Sequence, residues 1–182
     1  QGTLCTCLLA KNYINNDTKL WIYPPDIWFA PKFNPNRDGD CLVTFKANSP
    51  SHSYIKTDEF GIVTEVAEKE VIGEQANVGI YGFDRGSEFV AAAEQMIKCQ
   101  TTVNGEYYIA PVYNLLIANG AVISYQEVDS VSVLGTPEDL NFYVKNTLNV
   151  FGEKPVALCS DHSGFEAKEI TSSEDFNDED KK

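Results

Sequence analysis

Apolar residues recur along this chain in two periods, one suited to helices and one to strands. Leu4, Leu8, Leu9 and Tyr13 are spaced near the helical period and predict an opening helix, which Asn15-Asn16-Asp17 ends. Leu20 to Tyr23 is a short apolar run stopping at Pro24-Pro25-Asp26, the pattern of a strand. A loop rich in Pro, Asn and Asp over 31–40 leads into a second strand at 41–45. Residues 54–57 and 62–66 predict paired strands with Asp58-Glu59-Phe60-Gly61 as their turn. In 78–83 bulky and small residues alternate, as in a strand packed closely on a neighbour. Phe89, Val90, Ala93 and Ile97 stripe one helix, and 109–118 forms another, closed by Asn119-Gly120. Strands follow at 122–125 and 131–134. Thr136-Pro137-Glu138-Asp139 then reads as a helix start: Thr136 caps, Pro137 fits the first turn, and the acids face the positive helix end. Leu140, Val144, Leu148 and Phe151 supply that helix with an apolar stripe. Strands alternating with helices predict an α/β domain with a mainly parallel sheet.

Composition narrows the functional classes. The 182 residues are 43% apolar, enough for a real core, and no apolar run is long enough to span a membrane. A formal charge of -13 argues against a general nucleic-acid binder, which needs a positive field for phosphates. Local lysines or a metal can still hold one phosphorylated ligand. The five cysteines, Cys5, Cys7, Cys41, Cys99 and Cys159, are scattered, and Cys5-x-Cys7 lacks the two-residue spacer of a zinc knuckle. They read as idle or buried thiols in a reducing, cytoplasmic setting. The chain starts at Gln1 and its sole methionine is Met96, which suggests a processed chain or a fragment.

Single residues leave their roles open. Asp26 follows a short strand, where ligands of open α/β sheets bind, so it suits Mg²⁺ against a phosphate, although taken alone a loop cap is the simpler role. Glu68-Lys69 follows another strand and is either a surface ion pair or a ligand pair. Gly79 inside a strand allows a close approach by a ligand or by neighbouring backbone. Asn77 is a hydroxyl ligand or a turn residue, and His52 reads as a loop residue.

The order of motifs says more. Residues 62–69 (IVTEVAEK), 76–83 (ANVGIYGF), 105–108 (GEYY) and 134–140 (LGTPEDL) resemble, in that order, the middle and C-terminal core of the sugar-1-phosphate nucleotidyltransferases, or nucleotide-sugar pyrophosphorylases. The likeness spans about residues 2–145. It implies a Rossmann-like, glycosyltransferase-A-like nucleotidyltransferase core with a mixed sheet flanked by helices, incomplete at its N-terminus. It also implies a nucleoside triphosphate and a sugar 1-phosphate as partners. In that family a phosphate oxygen of the sugar attacks the α-phosphorus and pyrophosphate leaves. Carried over, Asp26 holds Mg²⁺ and Lys69 contacts the sugar phosphate as a point charge. Glu68, Asn77 and Glu106 bind sugar hydroxyls, the Gly79 backbone lies close to the sugar, and Gly2 lies near the base. Asp26, Lys69 and Glu106 are expected to converge at one mouth.

Two departures stand beside this resemblance. No G-x-G-x-R-like triphosphate loop occurs in these residues, and Val133 stands where many members carry a second metal aspartate. Little turnover is therefore expected of the 182 residues by themselves, and a non-catalytic sugar-phosphate-binding or regulatory module of the same fold is the alternative. Residues 155–169 (PVALCSDHSGFEAKE), following a linker at 152–155, resemble the first strand and loop of type B ribose-phosphate isomerases, in which the Asp-His pair contacts a phosphosugar. They could begin a second domain. Cys159-Ser160-Asp161-His162 cannot form a catalytic triad, because successive strand residues point to opposite faces. Residues 172–182, with five acids against two lysines, are expected to be disordered.

Overall fold

The computed structural model describes residues 2–29 and 33–148. They divide into two compact units: 2–23 with 33–129, and 24–29 with 130–148. The expectations for the linker at 152–155, the isomerase-like stretch 155–169 and the acidic tail 172–182 lie outside the described residues.

In the first unit, α1 (Thr3–Leu8) and α2 (Lys11–Ile14) precede β1 (Leu20–Ile22), β3 (Asp40–Lys46), β4 (Ser53–Thr57), β5 (Val63–Glu68) and β6 (Gln75–Phe83). The helices α3 (Gly86–Lys98) and α4 (Val112–Ala118) then lead to β7 (Ile123–Glu127). These strands form one sheet in the order β1-β6-β3-β7-β5-β4, with β4 also pairing to β6. A mixed α/β fold is what the motifs imply, but the weighting differs from the expected mainly parallel sheet. Among the described strands only β3 and β7 run parallel, Asp40 opposite Ile123 through Thr44 opposite Glu127. The reason is connection length. A parallel return needs a long crossover, and here α3 and α4 supply one before β7. The β4–β5 hairpin turns tightly through Asp58, whose Oδ1 accepts from the Phe60 and Ile62 amides at 3.0 and 2.8 Å.

The core lies where this sheet meets the helices. Leu4 of α1, Phe89, Val90, Ala93 and Met96 of α3, and Val112, Tyr113 and Leu116 of α4 pack on Leu42, Ile55, Val63, Val66, Phe83 and Ile123. The opening stripe is corrected. Leu4 is buried as expected, but Leu9 and Tyr13 are 86% and 84% exposed, and the single helix is two short ones. At the join, Leu9 and Ala10 donate to Thr6 and Cys7, each three residues back. Such bonds wind more tightly than an α-helix and rotate the following residues off the stripe. The Asn119-Gly120 closure holds: Gly120 takes φ 89° and its N–H donates to Ile117 O at 2.9 Å.

In the second unit β2 (Ile27–Phe29) pairs antiparallel with β8 (Val131–Val133), placing Ile27 opposite Val133. β2 is too short, and too close to Pro24-Pro25, to show in the sequence pattern. α5 (Pro137–Tyr143) starts as expected, with Thr136 Oγ1 accepting from the Asp139 N–H at 3.1 Å. Such a cap contributes about 1 kcal/mol. Its buried side is Leu140 and Tyr143, the latter against Trp28 with ring centroids 5.4 Å apart. Beyond Tyr143 the backbone widens into a π-helical turn, Val144–Leu148, so the regular α-helical winding expected of the stripe ends at Val144. Phe151 itself lies outside the described residues.

Asp40 is the one buried acid of the first unit among the described residues, 5% exposed, with Oδ1 accepting from the Asp84 N–H at 2.9 Å. Burial pushes its carboxyl above the usual range. A carboxyl raised in the folded state stabilises fully below its unfolded value of about 4, and loses that contribution as pH rises through the folded value. Asp40→Asn can keep the Asp84 hydrogen bond without the buried charge. It is expected to flatten the fall in stability as pH climbs from about 4 toward neutrality, read from urea midpoints across a pH series. Parallel curves for the two proteins would refute this.

Candidate functional site

Two motifs distant in sequence meet in the first unit. β5 ends at Glu68, and Lys69 turns the chain out of the strand with φ 58°, a left-handed conformation uncommon for a residue with a side chain. Its N–H donates to His52 O at 3.0 Å, which holds the turn. From there the Lys69 ammonium lies over the Tyr108 ring, 5.4 Å from its centroid. Tyr108 in turn donates its hydroxyl to Glu106 Oε2 at 2.6 Å. Glu106 is presented by a tight hairpin: Val103 and Glu106 exchange backbone hydrogen bonds at 3.0 Å around Asn104 and Gly105, both at positive φ. Asn-Gly is the pair that such a turn favours.

The two sides are held in register by a residue the sequence reading passed over. Asn114, on α4, accepts from the Val66 N–H at 2.9 Å and donates to Val66 O at 2.7 Å. It thus ties the helix that follows Tyr108 to the strand that ends at Glu68, just before Lys69. The signal was present, since Asn114 is the lone polar side chain of a carboxamide type in the apolar run VYNLLIA. Tyr108 lies inside the GEYY motif, and the resemblance gives it no role.

Gly2 joins this corner from the other side. A Cβ there would sit 2.4 Å from Tyr107 O, and Leu4 N donates to the same oxygen at 3.1 Å. The Gly2 backbone therefore lies close against the Tyr107 backbone. Glu68 is half-buried; desolvation raises its carboxyl above the usual range, and the Lys69 charge partly offsets this. Burial, and after it the Glu68 charge, hold the Tyr81 phenol well above the ordinary tyrosine range.

Asn77 and Gly79 have a local setting of their own. The β3–β6 register jumps from Leu42 opposite Tyr81 to Thr44 opposite Asn77, an irregularity that accommodates extra residues in β6. Gly79 takes φ 90° there, which a side chain would resist. Asn77 is buried, its Oδ1 accepts from the Gly79 N–H, and its Nδ2 donates to Ile80 O at 3.2 Å. Its carboxamide shapes the bulge.

Asp26 belongs to the second unit. It is exposed, its carbonyl accepts from Leu134 N at 2.7 Å, and a Cβ on Gly135 would approach its Oδ2 to 3.0 Å. The strand-end aspartate and the late LGT motif are thus neighbours. Val133, 44% exposed, pairs with Ile27 next to it. Among the described residues no three His, Cys, Asp or Glu gather as a metal cage. Cys5, Cys7, Cys41 and Cys99 are free thiols, and no described helix is long and apolar enough to cross a membrane.

No family model and no curated protein sequence matches the chain. Solved structures do. A nucleoside-diphosphate-sugar pyrophosphorylase from Vibrio cholerae RC9 superposes with a TM-score of 0.70 at 24% identity, over 80% of this chain and 65% of that one. A putative glucose-1-phosphate thymidylyltransferase from Bacillus anthracis, in complex with a sucrose, gives 0.62 at 15% identity, over 86% and 64%. The inositol-1-phosphate CTP transferase of T. maritima gives 0.56 at 13% identity, over 86% and 64%. The chain thus spans just under two thirds of the length of each. What it shares with all three is architecture: this chain has the fold of the sugar-phosphate nucleotidyltransferases.

Proposed function

We propose that this chain binds a sugar 1-phosphate and contributes the sugar side of a nucleotidyl transfer, in which sugar 1-phosphate and a nucleoside triphosphate give a nucleotide sugar and pyrophosphate. The observation that carries it is the Lys69–Tyr108–Glu106 contact, which brings a cation and a hydroxyl-binding carboxylate together from motifs far apart in sequence. Lys69 meets the phosphate as a compact charge. Glu106 and the half-buried Glu68 accept from sugar hydroxyls, the bulge at Gly79 gives the sugar close access to backbone, and Asn77 keeps that bulge in shape. Gly2 offers its backbone toward the base.

Asp26 is the residue to hold Mg²⁺. The ion takes one or two carboxylates and completes its shell from water and substrate phosphates, so a single exposed aspartate fits, while Val133 beside it adds no ligand. When bound, the ion would draw negative charge off the phosphates. The expectation that the 182 residues turn over little rests on their lack of a G-x-G-x-R-like loop, whereas the retained Asp26 favours descent from a working enzyme. Val133 favours the second reading, a sugar-phosphate-binding module without catalysis.

The test uses the chain with α-D-glucose 1-phosphate, inorganic phosphate and Mg²⁺. Calorimetry is expected to show the sugar phosphate binding, with Glu106→Gln weakening it several-fold while inorganic phosphate binds as before. Pyrophosphate release across the four triphosphates is expected near background. Release at an enzyme's ordinary rate, abolished by Asp26→Asn, would overturn the low turnover; sugar phosphate binding indifferent to Glu106 and Lys69 would overturn the site.

A further inference from the structure

Glu106 and Lys69 lie on different segments, both are exposed, and each side chain is free by itself to take many rotamers. One half-buried residue touches both. The Tyr108 hydroxyl donates to Glu106 Oε2 at 2.6 Å, and its ring lies under the Lys69 ammonium at 5.4 Å. A neutral donor on a carboxylate makes a short, charge-assisted hydrogen bond. The ring face attracts the ammonium through its quadrupole. A phenol is suited to both tasks at once because the two contacts use different parts of it, the oxygen in the ring plane and the face above it.

We propose that Tyr108 is a positioning residue that fixes the interval between the phosphate-binding ammonium and the hydroxyl-binding carboxylate, and so selects sugar phosphates over phosphate alone. This rests on the reading of the site given above. Its physical content is preorganisation: a ligand that must engage both groups gains when neither has to be ordered on binding, whereas inorganic phosphate needs only the ammonium. The Tyr108 anchor is itself held. Residue 107 lies against Gly2, and Asn114 clamps the following helix to β5. The hydrogen bond to Glu106 also raises the Tyr108 phenol above its ordinary range, the largest of the influences on it.

Two substitutions separate the halves. Tyr108→Phe removes the hydroxyl and keeps the ring, so glucose 1-phosphate is expected to bind about 5- to 10-fold more weakly while inorganic phosphate binds within twofold of the native chain. Tyr108→Leu removes both, and each ligand is expected to weaken. Without ligand, the Lys69 ε-methylene protons should show an upfield ring-current shift that survives in Tyr108→Phe and disappears in Tyr108→Leu. The Tyr108 phenol should titrate lower in Glu106→Gln. Equal binding of both ligands by native protein and Tyr108→Phe, or equal weakening of both in Tyr108→Phe, would overturn the proposal. Should the native chain bind neither ligand, the assigned site falls; an unmoved Lys69 resonance and an unmoved Tyr108 titration would then separately overturn the role of Tyr108. Because Tyr108→Phe is conservative, the test stands even where Tyr108→Leu fails to fold.

Discussion

Lys69→Ala is expected to weaken glucose 1-phosphate binding by about 10- to 100-fold, the worth of one charge-assisted contact of about 1.5–3 kcal/mol. Lys69→Gly should do the same to binding but raise stability, which Lys69→Ala leaves as it is. Lys69 sits at φ 58°, in the left-handed region, while its N–H holds His52 O. A non-glycine residue there costs about 1 kcal/mol, and alanine keeps that cost whereas glycine removes it. Binding by calorimetry and stability by urea denaturation on the same three proteins make the comparison. Alanine and glycine variants of equal stability would refute the strain; a variant that binds glucose 1-phosphate as the native chain does would remove Lys69 from the site.

The largest stability effect is expected at Tyr113. The side chain is fully buried, its ring stacks on Phe83 at 4.8 Å and 18°, and its hydroxyl lies 3.0 Å from Gly82 O and 3.3 Å from Cys41 O. It therefore pins α4 to the β3–β6 pair at the centre of the sheet. Tyr113→Ala leaves a large cavity and is expected to cost about 3–5 kcal/mol, a large part of the 5–15 kcal/mol typical of a domain. Tyr113→Phe keeps the ring and is expected to cost about 1 kcal/mol, because both carbonyls belong to paired strands and lose only a supplementary donor. Urea midpoints measure both. A loss below about 1 kcal/mol for Tyr113→Ala would mean that the ring does not carry the packing.

Strands with short, sharply bounded apolar runs were legible in the chain, and so was each element start written in local chemistry. The β4–β5 hairpin has Asp58 in its turn, and the helix at Pro137 has Thr136, as their sequences imply. The opening stripe misled because periodicity assumes one winding, and the bonds at Leu9 and Ala10 change it. β2 was hidden because three residues are too few for a period, and only pairing with β8 makes them a strand. The parallel weighting misled because pattern does not encode pairing direction.

The sequence by itself determined the chemistry available: a cation and carboxylates in motifs of fixed order, an acidic chain with a real core, and an Asn-Gly turn to present Glu106. Only the tertiary structure decided which of these meet. Lys69 and Glu106 become neighbours through a tyrosine and a clamp from Asn114 to Val66, and Asp26 comes to lie against Gly135. Asn77 turns inward to hold a bulge. Side-chain neighbours across long loops follow from the packing of whole elements, and no local run of residues contains that information.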